Sequence, residues 1–325
     1  MFRKLVVALF VMALSGQLFA QVDIQSLIAD AEEGNAIAQY KLGVRFIIGD
    51  GVAQNAVEAA KWFKLSADQG DASAQYNLGV MYAIGQGVSA DATEAVKLFR
   101  LAAEQGEVDA QHNLGFMYDS GQGVSQSDSE AVKWYTKAAE QGSADSQFNL
   151  GVKFDSGVGV AQSYTESVKW YTLAAEQGHA AAQYNLGVRY DNGEGVSQSY
   201  SEAVKWYKLA AEQGFAEAQF NLGVRYANGE GVLQDFSEAA KWYTLAAKSG
   251  YAMAQNNLGV SYIHGRGVPK NLSKAYVWFS ASIAQGYREG ITNRNLVAAE
   301  LSFEKLKKAR DIATRCIESS FQDCN

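Results

Sequence analysis

Apolar and polar positions along the chain keep one rhythm. In the stretch Ala72-Ser-Ala-Gln-Tyr-Asn-Leu-Gly-Val-Met-Tyr82, Ala74, Leu78 and Tyr82 recur at every fourth place, with Gln75 and Gly79 beside them. That is the one-sided spacing of a helix, helix A. The pattern returns every 36 residues, with Leu-Gly at Leu42, Leu78, Leu114, Leu150, Leu186, Leu222 and Leu258. A second helix, B, starts in each unit at Asn55, Asp91, Ser127, Ser163, Ser199, Asp235 or Asn271, all favoured N-caps. Three residues on stand Glu58, Glu94, Glu130, Glu166, Glu202 and Glu238, with Lys274 breaking the series in the seventh unit. The spacing predicts a capping box, in which cap and carboxylate satisfy each other's backbone donors. Gly85 and Gly87, part of a Gly-x-Gly-Val element in every unit, end helix A, because glycine enters the left-handed region at little cost. Gly79 inside the helix costs about 1 kcal/mol against Ala, so its recurrence predicts close approach of a neighbouring helix.

Seven such units fill 35–286. The chain therefore reads as one array rather than the two globular domains its length would suggest. Residues 21–34, with Ile24, Leu27, Ile28 and Ala31, read as an N-terminal capping helix. Residues 287–325 read as one or two capping helices and a tail, with a restart at Ser302. Lys305, Lys307, Lys308, Arg310 and Asp311 supply the polar outer face that a terminal unit needs. All six tryptophans, Trp62, Trp134, Trp170, Trp206, Trp242 and Trp278, share one position of helix B, which predicts core packing. Residues 1–20 read as a signal peptide: Arg3 and Lys4, an apolar run from Leu5 to Leu14, and a cleavage site at Ala20. The run is shorter than the ~20 residues a spanning helix needs. The mature protein is expected to be exported, periplasmic or secreted, without a transmembrane segment.

Composition narrows the functions. One proline and 31 glycines in 325 residues suit helices joined by glycine turns. The formal net charge of −7 excludes a nucleic-acid binder driven by bulk positive charge. His112, His179 and His264 have no partners at ligand spacing. Gly-x-Gly-Val lacks the third glycine and the preceding strand of a dinucleotide loop. No catalytic, cofactor-binding or metal-binding residue is assigned, and no enzyme is expected. The two cysteines, Cys316 and Cys324, form a candidate disulfide for an oxidising compartment.

The strings Ala-x-Ala-Gln-Tyr-Asn-Leu-Gly-x-x-Tyr, Gly-x-Gly-Val and Glu-Ala-x-Lys-Trp-Tyr-x-x-Ala-Ala-Glu-Gln-Gly resemble the Sel-1-like repeat family, a relative of the tetratricopeptide repeats. The resemblance implies an all-α, right-handed α/α superhelical solenoid that acts as an adaptor in multiprotein complexes. Only Gly267-Val268-Pro269 keeps the proline common in the family loop. No repeat carries a cysteine, so properties of the cysteine-rich exported branch are not carried over.

By analogy with tetratricopeptide arrays, the side of helix A away from Leu42 lines a concave groove. Stacked positions there form ladders: Tyr40, Tyr76, His112, Phe148, Tyr184, Phe220 and Asn256; Asn77, Asn113, Asn149, Asn185, Asn221 and Asn257; and Val44, Val80, Phe116, Val152, Val188, Val224 and Val260. Asn offers a donor and an acceptor to an extended chain, and aromatic anchors dominate many interfaces. The candidate partner-binding residues are Tyr76, Asn77, His112, Asn113, Phe148, Asn149, Tyr184, Asn185, Phe220 and Asn221. Equally open at this stage is a structural use, with the amides bridging helices and the rings filling gaps. Asp109 and Asp145 add charge, with Asp119, Asp155 and Asp191 at the rim, which favours a basic or neutral partner. The expected function is an exported, non-enzymatic scaffold binding a protein or peptide, an adaptor for an envelope complex. The alternatives are a binder of cell-wall glycan or peptidoglycan fragments, or a periplasmic hydrolase.

Overall fold

The computed structural model describes residues 24–324, and the signal peptide expected at 1–20 lies outside them. Every regular element among the described residues is a helix. α1 is Ile24–Glu32. Seven hairpins of helix A and helix B follow: α2 (Ala36–Ile48) and α3 (Ala56–Asp68), α4 (Ala72–Ile84) and α5 (Ala92–Glu104), α6 (Val108–Ser120) and α7 (Asp128–Glu140), α8 (Ala144–Ser156) and α9 (Tyr164–Glu176), α10 (Ala180–Asn192) and α11 (Tyr200–Glu212), α12 (Ala216–Asn228) and α13 (Phe236–Lys248), α14 (Ala252–His264) and α15 (Leu272–Ala284). α16 (Glu289–Glu300) and α17 (Phe303–Glu318) end the chain. There are two compact units, one ending at Gln162 and one beginning at Ser163. Within each, the helices pack on the next in chain order as far as α16, and α17 packs back on α15. The expected all-α array of 36-residue hairpins is what the chain forms.

The helix ends follow from local chemistry, with one departure. Gly85 caps α4 in the left-handed region, at φ 72°, and its N–H bonds the Met81 carbonyl. The helix therefore runs to Ile84, past the Tyr82 expected. The helix B caps Asn55, Asp91, Ser127, Ser163, Ser199, Asp235 and Asn271 all accept a first-turn N–H. The reciprocal half of the capping box does not form. The backbone N–H of Asn55 goes instead to the Phe46 carbonyl, Asp91 to Tyr82, Ser127 to Tyr118 and Ser199 to Tyr190. That bond closes the loop between helices A and B and uses the donor the carboxylate would have taken. Glu58, Glu94, Glu130, Glu166, Glu202 and Glu238 turn to the lysine three residues on.

Two glycine registers hold the packing. A Cβ at Gly79 would lie 2.9 Å from the Phe99 ring, and one at Gly115 would lie 2.7 Å from the Tyr135 ring. The close approach is thus to an aromatic ring of helix B in the same hairpin. That ring, one residue after the tryptophan register, is the deeper one: Phe63, Phe99, Tyr135, Tyr171, Tyr207 and Phe279 are all fully buried. Trp134, Trp242 and Trp278 are buried, but Trp62, Trp170 and Trp206 only half so. A Cβ at Gly87 would sit 2.2 Å from the Ala56 carbonyl oxygen, and one at Gly123 would sit 2.1 Å from that of Ala92. The second loop glycine therefore lets each loop rest on helix B of the preceding hairpin.

A row of buried glutamines ties hairpins together. Gln75 donates to the Ala67 carbonyl at 3.2 Å and accepts from Gln105 at 2.8 Å. Gln111 repeats this with Ala103 and Gln141. At the C-terminal end α16 and α17 pack on α15. Cys316 and Cys324 are disulfide-bonded and buried. Inside the loop they close, Phe321 packs against Gly250, and Gln322 donates to the Lys248 carbonyl at 3.1 Å.

Candidate functional site

The helix A face carries the ladders, but their members are not equally open. Asn77, Asn113, Asn149, Asn185 and Asn221 are half-buried, as are His112, Phe148, Tyr184 and Phe220. Tyr76 is buried, only 6% exposed, and Val80 beside it only 1%. Val152 is exposed. The asparagine row has internal work. Asn77 favours ionisation of the Tyr40 hydroxyl against burial, as Asn113 does for Tyr76, Asn149 for Tyr135, and Asn221 for Tyr184 and Tyr207, and the Asn77 amide donates to the Ser73 carbonyl of its own helix at 2.9 Å. Each of these pairings sets a helix A beside the preceding hairpin. Asn293 of α16 stands at the same 36-residue interval from Asn257 and donates to Asn256 at 3.1 Å. α16 thus continues the row beyond the seventh hairpin. Amides and rings along this row are alike half-buried.

Two of the rim aspartates, Asp119 and Asp191, are paired with cations. The Lys153 ammonium pairs with Asp119 and, at 2.8 Å, with Asp128. Asp191 meets Arg225 at 3.3 Å and accepts from the Tyr207 hydroxyl at 3.2 Å. These carboxylates link successive hairpins, so Asp119 and Asp191 are not the rim charges the sequence suggested. Further acidic groups, half-buried, lie at the start of α6. Burial, reinforced by Asp109, pushes the Glu107 carboxyl up. Burial and the nearby Asp145 push Asp109 up, against the pull of His112. Burial holds His112 below its usual range, opposed by Asp145 and Asp109.

The histidine of this face has an internal partner. The His112 Nδ1 is 2.8 Å from the Ser146 hydroxyl, but Ser146 is fully buried and its oxygen cannot meet a substrate. The contact is another strut between hairpins. Among the described residues, no group of three or more His, Cys, Asp or Glu could hold a metal ion, and no helix is long and apolar enough to cross a membrane.

Sequence reasoning missed two residues of this face. Helix A is capped by the side chains of Asn35, Asp71, Glu107, Ser143 and His179. In the last two hairpins the cap residues are Phe215 and Tyr251, which make no such bond. Their rings lie 5.2 Å from Tyr184 and 5.3 Å from Phe220, with Met253 exposed nearby in the first turn of α14. A lost cap costs about 1 kcal/mol. The signal was present in the aligned repeats, as an aromatic residue at a cap register.

Comparison with known proteins places this architecture. A Sel1 repeat protein from Oxalobacter formigenes is 35% identical over 83% of this chain and 78% of its own, with a TM-score of 0.67. A protective antigen present in uropathogenic Escherichia coli strains, displaying an SLR fold, is 29% identical over 92% of this chain and 88% of its own, with a TM-score of 0.55. No curated protein matches at a significant level. The Sel1 repeat profile matches seven consecutive segments, 36–71, 72–107, 108–143, 144–179, 180–215, 216–251 and 252–287. With its hairpins, loop glycines and helix caps all in that register, the chain belongs to the Sel1 repeat family.

Proposed function

We propose that this protein is an exported, non-enzymatic scaffold that binds a protein or peptide on the outward face of its A helices, as an adaptor in an envelope complex. The observation that carries the reading is the exchange of two helix caps for aromatic rings at Phe215 and Tyr251. Capping hydrogen bonds are exchanged there for ring contacts that enlarge an aromatic surface formed with Tyr184 and Phe220. Rings that keep few rotamers offer large contact area at low entropic cost. Export is supported by the N-terminal sequence and by a disulfide suited to an oxidising compartment.

The test replaces both rings by residues that other hairpins carry at this register, Phe215→Ser and Tyr251→Asp. Regaining two caps at about 1 kcal/mol each offsets ring pairs worth about 0.5–1.5 kcal/mol each. The melting temperature should therefore change little. Partner recovery in a cross-linked pull-down from the native envelope fraction, identified by mass spectrometry, should fall sharply. Full capture by the double variant would sink the reading. Binding of peptidoglycan fragments in place of peptides would move it to the cell-wall alternative.

A further inference from the structure

The corner between α16 and α17 carries apolar surface that the packing of the array does not use. A terminal unit needs a polar outer face, yet Leu296 of α16 is 61% exposed and Phe303 of α17 is 79% exposed. The start of α17 is complete without Phe303. Ser302 accepts the Lys305 N–H as its N-cap. Leu301 and Leu306, at the two staple positions around that cap, both pack against the terminal core. Phe303, the first residue of the helix, takes no part in that packing.

The outer face of α17 joins this ring to cations. The inner face is Ala309, Ala313 and Cys316, all buried. Opposite them Phe303, Lys307, Arg310, Thr314 and Ile317 recur at steps of four and three residues, which places them on one stripe, and all five are exposed. The acids Glu304, Asp311 and Glu318 keep to an adjoining line, and the stripe itself holds none. Among the described residues, Lys305, Lys307, Lys308 and Arg310 enter no ion pair, whereas Arg315 meets Asp323 at 3.6 Å. Helix B lysines differ: Lys205 and Lys241 each meet the glutamate three residues before. Four cations against one acid over 303–310 make a positive patch on a chain whose formal charge is −7.

Unpaired cations complement an anionic partner, and the apolar residues indicate its kind. Leu296 and Phe303 flank a turn rather than line a groove. That suits a phase that opens around them better than a surface with a matching pocket. An anionic bilayer presents the two layers in order, hydrocarbon beneath phosphate. We propose that this corner docks the protein on an anionic lipid surface, with Leu296 and Phe303 in the outer hydrocarbon and Lys307 and Arg310 at the phosphates. The long stems of these cations lie along the apolar boundary while their charged heads stay among the headgroups. The attachment is peripheral and uses none of the residues of the A-helix face.

The test uses the mature chain, from residue 21, so that the apolar run from Leu5 to Leu14 does not itself bind lipid. It is co-sedimented with sucrose-loaded vesicles at about 0.15 M salt. Phosphatidylcholine vesicles with about 30% phosphatidylglycerol should bind it about tenfold more tightly than phosphatidylcholine alone. Lys307→Gln with Arg310→Gln should weaken that binding about tenfold. Lys205→Gln with Lys241→Gln, the same charge change on exposed helix B lysines, should weaken it less than about twofold. Leu296→Ser with Phe303→Ser should weaken it about fivefold or more, at an unchanged melting temperature because both side chains are exposed. The Lys307 and Arg310 pair, which alters no buried residue, tests the proposal whatever the apolar variants do to folding. Binding without preference for phosphatidylglycerol, equal losses in the two charge-removal pairs, or full affinity in a folded Leu296→Ser with Phe303→Ser variant would each overturn the proposal. So would a dimer in sedimentation equilibrium that Phe303→Ser dissociates, since the corner would then belong to a second copy of the chain.

Discussion

Asp109, in the first turn of α6, is half-buried and near the charge of Asp145. Burial and the charge of Asp145 raise its proton affinity above the usual aspartate range. The folded chain therefore binds that proton more tightly than the unfolded chain. Linkage then fixes the sign: the cost is absent below the unfolded value, grows as pH rises, and is complete above the folded one. Asp109→Asn should raise the melting temperature at neutral pH. The gain should shrink as pH falls through the folded value, because a protonated aspartic acid and an asparagine differ little in charge. Thermal melts from about pH 3 to about pH 7 measure this. A pH-independent difference, or a loss of stability at neutral pH, would mean that Asp109 has an internal role. Asp119, by contrast, pairs with the Lys153 ammonium of the next hairpin.

Glycines of one sequence rhythm do different work once the helices stack. Gly106, at φ +94°, has nothing within 4 Å of a built Cβ, whereas at Gly123, at φ +68°, that Cβ would lie 2.1 Å from the Ala92 carbonyl oxygen. Gly106→Ala should cost about 1–2 kcal/mol, the left-handed penalty alone. Gly123→Ala adds a clash between backbones that cannot rotate away, and should cost about 3 kcal/mol or more. Chemical denaturation of the two variants compares them directly, and equal losses would show that the loop does not bear on the preceding helix. The sequence makes both positions glycine without distinguishing them, since the neighbour of Gly123 lies in the hairpin before. The capping box failed for a similar reason. Asn55 and Glu58 have the right types and spacing, but the Phe46 carbonyl reaches the Asn55 donor first. Local pattern identified which atoms need partners, and tertiary contact decided which partners they found.

At the scale of the molecule, the repeat length and the hairpin count could be read from residues alone, because each depends on periodicity. The depth of Tyr76 could not, since it depends on how closely neighbouring hairpins press at one register, and Phe215 and Tyr251 were hidden by treating each cap as local. The C-terminal end is the least periodic part and relies on covalent closure. α16 and α17 lack the loop glycines of a full hairpin, and the tail turns back through Ser320 and Phe321, both at positive φ, at 53° and 69°. Two non-glycine residues in that region are costly, and the bond between Cys316 and Cys324, eight residues apart, keeps the turn closed over Gly250. Closing a loop of that size stabilises by about 2.5 kcal/mol in the chain-entropy account. Replacing both cysteines by serine should release Phe321 and the Gln322 bond to Lys248. Hydrogen exchange should then quicken first in α17 and around Gly250, while α2 to α5 keep their protection, because in repeat arrays each element is stabilised mainly by its neighbours. A uniform rise in exchange along the chain would show instead that the disulfide stabilises the array as one cooperative body.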